Sequence, residues 1–170
     1  MASFALSNLC RLTPRQTFLA LALWSGFLVL SAQILQHGFG IVPCHMCLWQ
    51  RYAHYAILAV ALIGLLETPR PPTRPLLAAI ILAALAGLAV ALWQFAAQHN
   101  MLPWPPTCTG TGAQLVATSA DLLATLNNTP IVPCDQETFT LGGLSLAGWN
   151  IGAMLIAIAL SARGLSSKSI

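Results

Sequence analysis

Two pairs of cysteines in this 170-residue chain could exchange electrons. Cys44 and Cys47 lie in the motif PCHMC at 43–47, and Cys108 and Cys134 lie farther along the chain. A disulfide within Cys-x-x-Cys closes too small a loop to restrict the unfolded chain much, so it is a poor structural crosslink. Two thiols one helical turn apart at a helix N-terminus, where the partial positive charge favours thiolate, oxidise and reduce readily. The motif therefore predicts a redox-active pair.

The residues that follow the motif add a polar face to the same segment. If a helix continues from the motif, Cys47, Arg51 and His54 fall at i, i+4 and i+7, on one side. Arg51 then lies one turn deeper than the thiol, where its charge is costly unless it snorkels or has a partner. We expect its guanidinium to stabilise the Cys47 thiolate and to bind a polar atom of a lipid-soluble ligand, with simple snorkelling as the alternative. For His54 we expect packing or a helix–helix hydrogen bond.

The composition indicates that the elements holding these residues lie in a membrane. Hydrophobic residues make up 57% of the chain and charged residues 6%, whereas an average soluble domain is about 25% charged. That composition excludes an ordinary soluble domain and a disordered chain. The net charge of +3 is too small to indicate a surface that binds nucleic acid. A membrane-spanning helix needs about 20 apolar residues. The segments that qualify are 18–36, 48–66, 76–97 and 144–162.

The basic residues predict how these segments are oriented. With four spans, both termini lie on one side together with the turn at 67–74, and that side holds six of the seven Lys and Arg residues. By the positive-inside rule this side is cytoplasmic, so a short loop at 37–47 and a long loop at 98–143 face outward. The first segment is longer than the apolar part of a signal peptide, so we expect it to be retained. We therefore expect an all-α, polytopic membrane protein, one domain over 1–170, with a four-helix transmembrane bundle.

Several classes of electron acceptor are disfavoured because the sequence lacks their binding motifs. It contains no haem Cys-x-x-Cys-His, no dinucleotide-binding glycine fingerprint and no iron–sulfur spacing. Flavin stays open, although nothing supplies a site for its phosphate. A disulfide is a two-electron couple. A quinone accepts two electrons, resides in the bilayer and presents carbonyl oxygens to Arg51, so it is the expected acceptor.

The segment Pro43-Cys44-x-x-Cys47-x-x-Gln50-Arg51 resembles the signature of the disulfide bond formation protein B (DsbB) family of inner-membrane quinone reductases. The similarity covers nearly the whole chain. It includes four spans, a short and a long outer loop with a cysteine near each end of the long one, QHNM at 98–101, and GLSL at 143–146 with Trp149 entering the last segment.

This resemblance implies an electron relay in the bacterial inner membrane that supports disulfide formation in secreted proteins. A periplasmic thioredoxin-like oxidant of the DsbA type attacks a Cys108–Cys134 disulfide and forms a mixed disulfide with Cys108. Cys134 then passes electrons to the Cys44–Cys47 pair, by way of a Cys44–Cys134 bond. The final acceptor is the membrane quinone pool, ubiquinone or menaquinone. Because a relay disulfide must open easily, we expect the Cys108–Cys134 bridge to be exposed and poorly packed.

The resemblance also assigns residues to the quinone. Cys47 is the sulfur that faces it, and Arg51 holds a quinone oxygen. His99 matches a family position near the quinone, with an ordinary interfacial histidine as the alternative. No metal is expected.

The long outer loop has two segments with predicted structure. The proline-rich stretch LPWPP at 102–106 cannot be helical and is expected to be extended on the membrane surface. Residues 114–126 carry leucine and valine at near-helical spacing, which indicates a short amphipathic helix lying on the bilayer, with an irregular loop as the alternative.

Three alternatives remain open from the sequence. One is a metal-handling membrane protein with a soft ligand cluster, which metal analysis would detect. Its candidate ligands are His37, Cys44, His45, Met46, Cys47 and His54. Another is an assembly subunit with two inert structural disulfides, which would show no turnover with a thioredoxin-like partner and quinone. A protein similar to vitamin K epoxide reductase is the nearest in chemistry, but Gln-Arg after the Cys-x-x-Cys and the second cysteine pair favour the DsbB family.

Overall fold

The computed structural model describes residues 13–67, 73–105, 108, 134 and 140–166. The described residues form four helices and one short hairpin. In chain order the elements are α1 (Pro14–Gly38), α2 (His45–Leu66), α3 (Thr73–Gln98), β1 (Thr140–Leu141), β2 (Leu144–Ser145) and α4 (Leu146–Ser166). The predicted helical class is confirmed, and each predicted apolar segment overlaps one helix.

Side-chain caps fix where three of the helices begin. Thr13 and Gln16 form a capping box at the start of α1, and Pro14 occupies its first turn. At the start of α2 the Cys44 sulfur accepts the backbone N–H three residues later. At the start of α4 the Ser145 hydroxyl oxygen accepts an N–H in the same way. The cap of α2 is therefore one of the predicted redox cysteines.

The hairpin immediately before α4 was not predicted. Thr140 pairs with Ser145 and Leu141 with Leu144 in an antiparallel register. Gly142 and Gly143 form the turn with φ angles of 62° and 79°, which suit a two-residue hairpin turn with both central residues left-handed. Since β2 runs directly into the helix, residue 144 belongs to a strand, and α4 begins two residues later than the predicted segment.

At the end of α3 the chain turns back toward the cysteines of the long loop. Asn100 has a φ of 58°, and the N–H of Met101 donates to the Ala96 carbonyl over 2.9 Å, as in a Schellman motif. The Trp93 indole then donates to the carbonyl of Pro103 over 3.1 Å. Residues 102–105 are non-helical, as predicted for this proline-rich stretch. Residue 106 and the amphipathic helix predicted at 114–126 lie outside the described residues.

The helices pack in a bundle in which α3 contacts both α2 and α4, and α2 also contacts α1. Small residues let the helices approach closely. A Cβ placed on Gly64 would lie 2.8 Å from the Phe18 ring, and one on Gly164 would lie 2.8 Å from Leu77. The largest fully buried apolar side chains of this core are Phe18, Leu21, Ile57, Leu77, Ile80 and Met154.

The outer faces of the helices are apolar. Leu23, Phe27 and Leu30 on α1 and Leu82 on α3 are all more than half exposed. Within the described part of the chain, α1, α3 and α4 are long and apolar enough to cross a membrane. The chain is thus a multi-pass membrane protein. The remaining helix, α2, is not one of these three, and polar and charged side chains follow its cysteine motif.

The close approach of α3 to its neighbours predicts a difference between two glycines. A Cβ on Gly87 would lie 2.8 Å from the Ala53 Cβ and 2.5 Å from the Met154 methyl carbon, whereas one on Gly26 would lie 3.8 Å from Leu58. We expect Gly87→Ala to lower the free energy of unfolding by about 1–3 kcal/mol through overpacking. The matched control, Gly26→Ala, should leave it unchanged or slightly raise it. Melting temperatures of the detergent-solubilised variants measure both, and equal melting of the two would contradict this packing.

Candidate functional site

The first disulfide lies at the N-terminus of α2. Cys44 and Cys47 are bonded, with their Cα atoms 5.1 Å apart. The Cys47 backbone N–H donates to the Cys44 sulfur over 3.2 Å. Cys44 is 7% exposed and Cys47 is half-buried. The pair therefore lies where the helix dipole is positive, which favours a negatively charged sulfur after reduction.

The second disulfide joins Cys108 to Cys134, with Cα atoms 5.2 Å apart. Their exposed fractions are 5% and 2%, so the expectation of an exposed, poorly packed bridge is wrong. The physical reason is apolar contact, because the bridge belongs to one buried cluster with Cys44 and Met46. Trp104 packs against this cluster.

The structure thus brings together all four cysteines that the sequence pointed to. Cys44, Cys108 and Cys134 are buried members of the cluster, and Cys47 packs against it. Each pair is disulfide-bonded. The two pairs therefore share a single buried region of the structure.

A cavity of about 360 Å³ adjoins the first disulfide, bounded by α1, α2, α4 and the segment between α1 and α2. Its volume falls within the range of about 300–1,000 Å³ typical of small-molecule sites. Cys47, Arg51 and His54 all line it, as their spacing on one helix face predicted. Most of the wall is apolar, and this part includes Trp24, Leu28, Leu35, Val42, Leu146 and Ile156.

Arg51 is held against the cavity wall by a residue of α1. One of its terminal nitrogens donates to the Gln36 side-chain oxygen over 2.6 Å. Gln36 is neutral, so this hydrogen bond orients the guanidinium without neutralising its charge. A guanidinium has five N–H donors, so a ligand oxygen in the cavity can be bound as well.

A chain of hydrogen bonds crosses the bundle from His54 to the first disulfide. His54 Nε2 lies 2.8 Å from the Asn150 side-chain oxygen, so the helix–helix hydrogen bond expected for His54 is present. The Asn150 amide donates to the Gln50 oxygen over 2.7 Å, and the Gln50 amide donates to the Gln94 oxygen over 2.7 Å. The Gln94 amide nitrogen contacts both sulfurs of the disulfide.

Gln94, Asn150 and Gln36 were missed as site residues by sequence reasoning. Each is an uncharged polar residue in a largely apolar helical segment. Polar side chains in such segments are costly unless they face the bundle interior or a cavity and find partners there. Isolated amides were therefore the available signal, although it does not reveal which amides pair.

His99 lies apart from this assembly. Its ring is exposed at the end of α3, and its Nδ1 lies 2.8 Å from the Phe95 carbonyl oxygen. The ring also packs against that of Phe95, with the centroids 4.3 Å apart. His99 does not line the cavity that the described residues form, and its role beside a quinone stays a prediction.

The candidate metal ligands all lie within the described residues. Within residues 13–67, 73–105, 108, 134 and 140–166, no three His, Cys, Asp or Glu side chains come together in a way that could hold a metal ion. The two cysteines of that candidate cluster are joined in a disulfide, and His54 is hydrogen-bonded to Asn150.

Two adjoining disulfides, one of them opening onto an apolar cavity in a multi-pass helical bundle, define a membrane thiol–disulfide oxidoreductase. The family model described as "Disulfide bond formation protein DsbB" matches residues 14–163. The chain belongs to the DsbB family of disulfide-generating oxidoreductases.

Three relatives illustrate the similarity, each with the name Disulfide bond formation protein B. The one from Aromatoleum aromaticum is 34% identical, covering 89% of this chain and 88% of its own. The one from Azoarcus sp. is also 34% identical, covering 81% and 83%. The one from Verminephrobacter eiseniae is 30% identical, covering 90% and 89%. No solved structure matches the chain.

Proposed function

We propose that the protein is a membrane thiol:quinone oxidoreductase that reoxidises a periplasmic thioredoxin-like oxidant of the DsbA type. The observation that carries this proposal is the apolar cavity lined by Cys47 and Arg51, directly beside the disulfide at the start of α2. Electrons pass from Cys108 and Cys134 to Cys44 and Cys47, and then to a quinone. The reaction supports disulfide formation in secreted proteins.

The proposed setting is the bacterial inner membrane, with residues 1–170 as a single membrane domain. Three helices reach the length and hydropathy of spans, and we add α2 as the fourth because it packs against two of them, α1 and α3. The spans are 18–36, 48–66, 76–97 and 144–162. Both termini are cytoplasmic, and the loops 37–47 and 98–143 are periplasmic, because the basic residues gather on the opposite side from these loops.

The entry step takes place at the second disulfide. A thiolate of the partner attacks Cys108, so that the Cys108–Cys134 bond breaks, a mixed disulfide forms and Cys134 leaves as a thiolate. The partner's second thiol then attacks its own sulfur in the mixed disulfide. The partner is released oxidised, and Cys108 is left as a thiolate. The bridge has thereby accepted two electrons.

The transfer step stays within the buried cluster. The Cys134 thiolate attacks Cys44, the Cys44–Cys47 bond breaks, and Cys47 leaves as a thiolate. Cys108 then attacks Cys134 in the new Cys44–Cys134 bond, which restores the bridge and leaves both Cys44 and Cys47 reduced. Cys44 and both bridge cysteines belong to one buried cluster, which supports this order.

The cavity residues fit a quinone head group. Its apolar wall suits a lipid-soluble ring, and Arg51 supplies a cationic donor for a carbonyl oxygen. When bound there, ubiquinone or menaquinone supplies a two-electron acceptor. Cys47 lines the same cavity and is the sulfur placed to pass electrons on. His99 is proposed as a further contact from its family position alone.

We expect Cys47→Ser to abolish quinone reduction while the Cys108–Cys134 bridge still forms, because no other pair adjoins the cavity within the described residues. The measurement mixes the purified protein with a reduced thioredoxin-like partner and ubiquinone, and follows the loss of quinone absorbance. The matched control is Cys10→Ser, at the fifth cysteine of the chain, which belongs to neither pair, and it should turn over like the wild type. Undiminished turnover by Cys47→Ser would refute the proposed order. If the wild type itself showed no turnover, the two disulfides would be inert structural crosslinks.

Arg51→Lys keeps the charge but loses the planar, forked donors, and the two residues are not equivalent at such a site. We expect the KM for quinone to rise about tenfold, the loss expected for one hydrogen bond to a charged group. Thiol exchange with the partner should change less. Arg15→Lys is the control for the substitution itself. An unchanged KM for quinone in Arg51→Ala would show that Arg51 does not bind the quinone and only snorkels toward the membrane surface.

A further inference from the structure

The buried amide of Gln94 faces the first disulfide from α3. Its nitrogen lies 3.5 Å from the Cys44 sulfur and 3.6 Å from the Cys47 sulfur, and the side chain is 4% exposed. An amide group has two N–H donors, so it can donate to both sulfurs. This contact joins the redox pair to a helix that carries none of the four relay cysteines.

The orientation of this amide is set by its neighbours. The Gln94 oxygen accepts from the Gln50 amide, whose own oxygen accepts from Asn150. Asn150 in turn uses its oxygen to bind His54 Nε2, which donates in the tautomer that carries hydrogen there. Every donor in the chain thus points toward the sulfurs. If the Gln94 amide alone were turned so that its oxygen and nitrogen exchanged places, its nitrogen would face the Gln50 nitrogen, and two donors would oppose each other.

The arrangement suits a sulfur that carries negative charge. A sulfur in a neutral cysteine is a weak acceptor, and burying an amide against weak acceptors is costly. A hydrogen bond to a charged acceptor is roughly twice as strong as one between neutral groups. It is strengthened further in a buried region of low dielectric constant. The hydrogen bonds donated by Gln94 are therefore strongest when a sulfur of the pair becomes a thiolate.

We propose that Gln94 is a further catalytic residue, which stabilises the thiolate released when the Cys44–Cys47 bond is broken. In the proposed relay, attack on Cys44 expels Cys47 as a thiolate. The backbone N–H at the start of α2 is aimed at the Cys44 sulfur, whereas Gln94 also reaches the Cys47 sulfur. This inference rests on the proposed function, because it requires the pair to open during turnover.

Gln50 and Asn150 act through Gln94. Neither is required to touch a sulfur for this role, since they fix which end of the Gln94 amide faces the pair. They are positioning residues. Removing Gln50 should leave the Gln94 amide free to rotate and should produce part of the effect of removing Gln94 itself.

The test measures thiolate formation directly, with neither quinone nor partner present. The full chain is purified in detergent, fully reduced, and treated with iodoacetamide at a series of pH values, and mass spectrometry resolves the alkylation of each cysteine. Gln94→Leu should slow the alkylation of Cys47 at pH 7 about tenfold and shift its pH midpoint up by about one unit. Gln50→Leu should shift the midpoint in the same direction by less.

Gln98→Leu is the matched control, because Gln98 lies one turn away on the same helix and its oxygen accepts from Ser145 rather than facing a sulfur. It should leave the alkylation of Cys47 unchanged. The alkylation of Cys10 within each variant provides an internal reference. Gln94→Met, which keeps a long flexible side chain but has no donor, serves as the second variant should Gln94→Leu not fold, and should show the same shift.

A midpoint for Cys47 that is unchanged in folded Gln94→Leu or Gln94→Met would overturn the proposal and leave Gln94 as a packing residue. An equal slowing in Gln98→Leu would do the same, because the effect would then be one of general packing on α3. Either result would leave the proposed function intact, since quinone turnover by the wild type is measured separately.

Discussion

Helix α2 begins where the Cys44 sulfur accepts the backbone N–H of Cys47, and the rest of the site depends on this start. It places the disulfide in the first turn, at the positive end of the helix dipole. It also fixes the rotation of the helix, so that Cys47, Arg51 and His54 line the same cavity. A shift of the α2 register by one residue would rotate these side chains by about 100° about the helix axis, away from the cavity that they line.

The position of this disulfide accounts for the direction of the proposed relay. On one side Cys44 shares a buried cluster with the Cys108–Cys134 bridge, and on the other side Cys47 opens onto the apolar cavity. The polar groups that lie this deep in the bundle form hydrogen bonds with one another, from His54 through the amides to the sulfurs. A buried network of this kind is favourable only when its members are satisfied. The sulfurs at its end are therefore part of the polar structure of the bundle as well as its redox centre.

Local patterns in the sequence predicted the features that depend on local spacing. The redox character of Cys-x-x-Cys, the helical segments and the shared face of Cys47, Arg51 and His54 all follow from positions a few residues apart. The pairing of amides could not be predicted in this way, because Gln50 and Gln94 are 44 residues apart and Gln50 and Asn150 are 100 apart. The bridge was expected to be exposed because its function requires opening. Its burial depends on contacts from α2 and from the segment after α3, which only the folded chain brings together.

The most direct measurement of the central claim traps the partner at its point of entry. A reduced thioredoxin-like oxidant that keeps only its attacking cysteine is mixed with the fully oxidised chain, and the reaction is quenched with acid, alkylated and mapped by mass spectrometry without reduction. The predicted product is a mixed disulfide between the partner and Cys108. The released Cys134 sulfur is then either alkylated or bonded to Cys44. An adduct at Cys44 or Cys47, with the Cys108–Cys134 bridge intact, would contradict the claim, because electrons would then bypass the bridge.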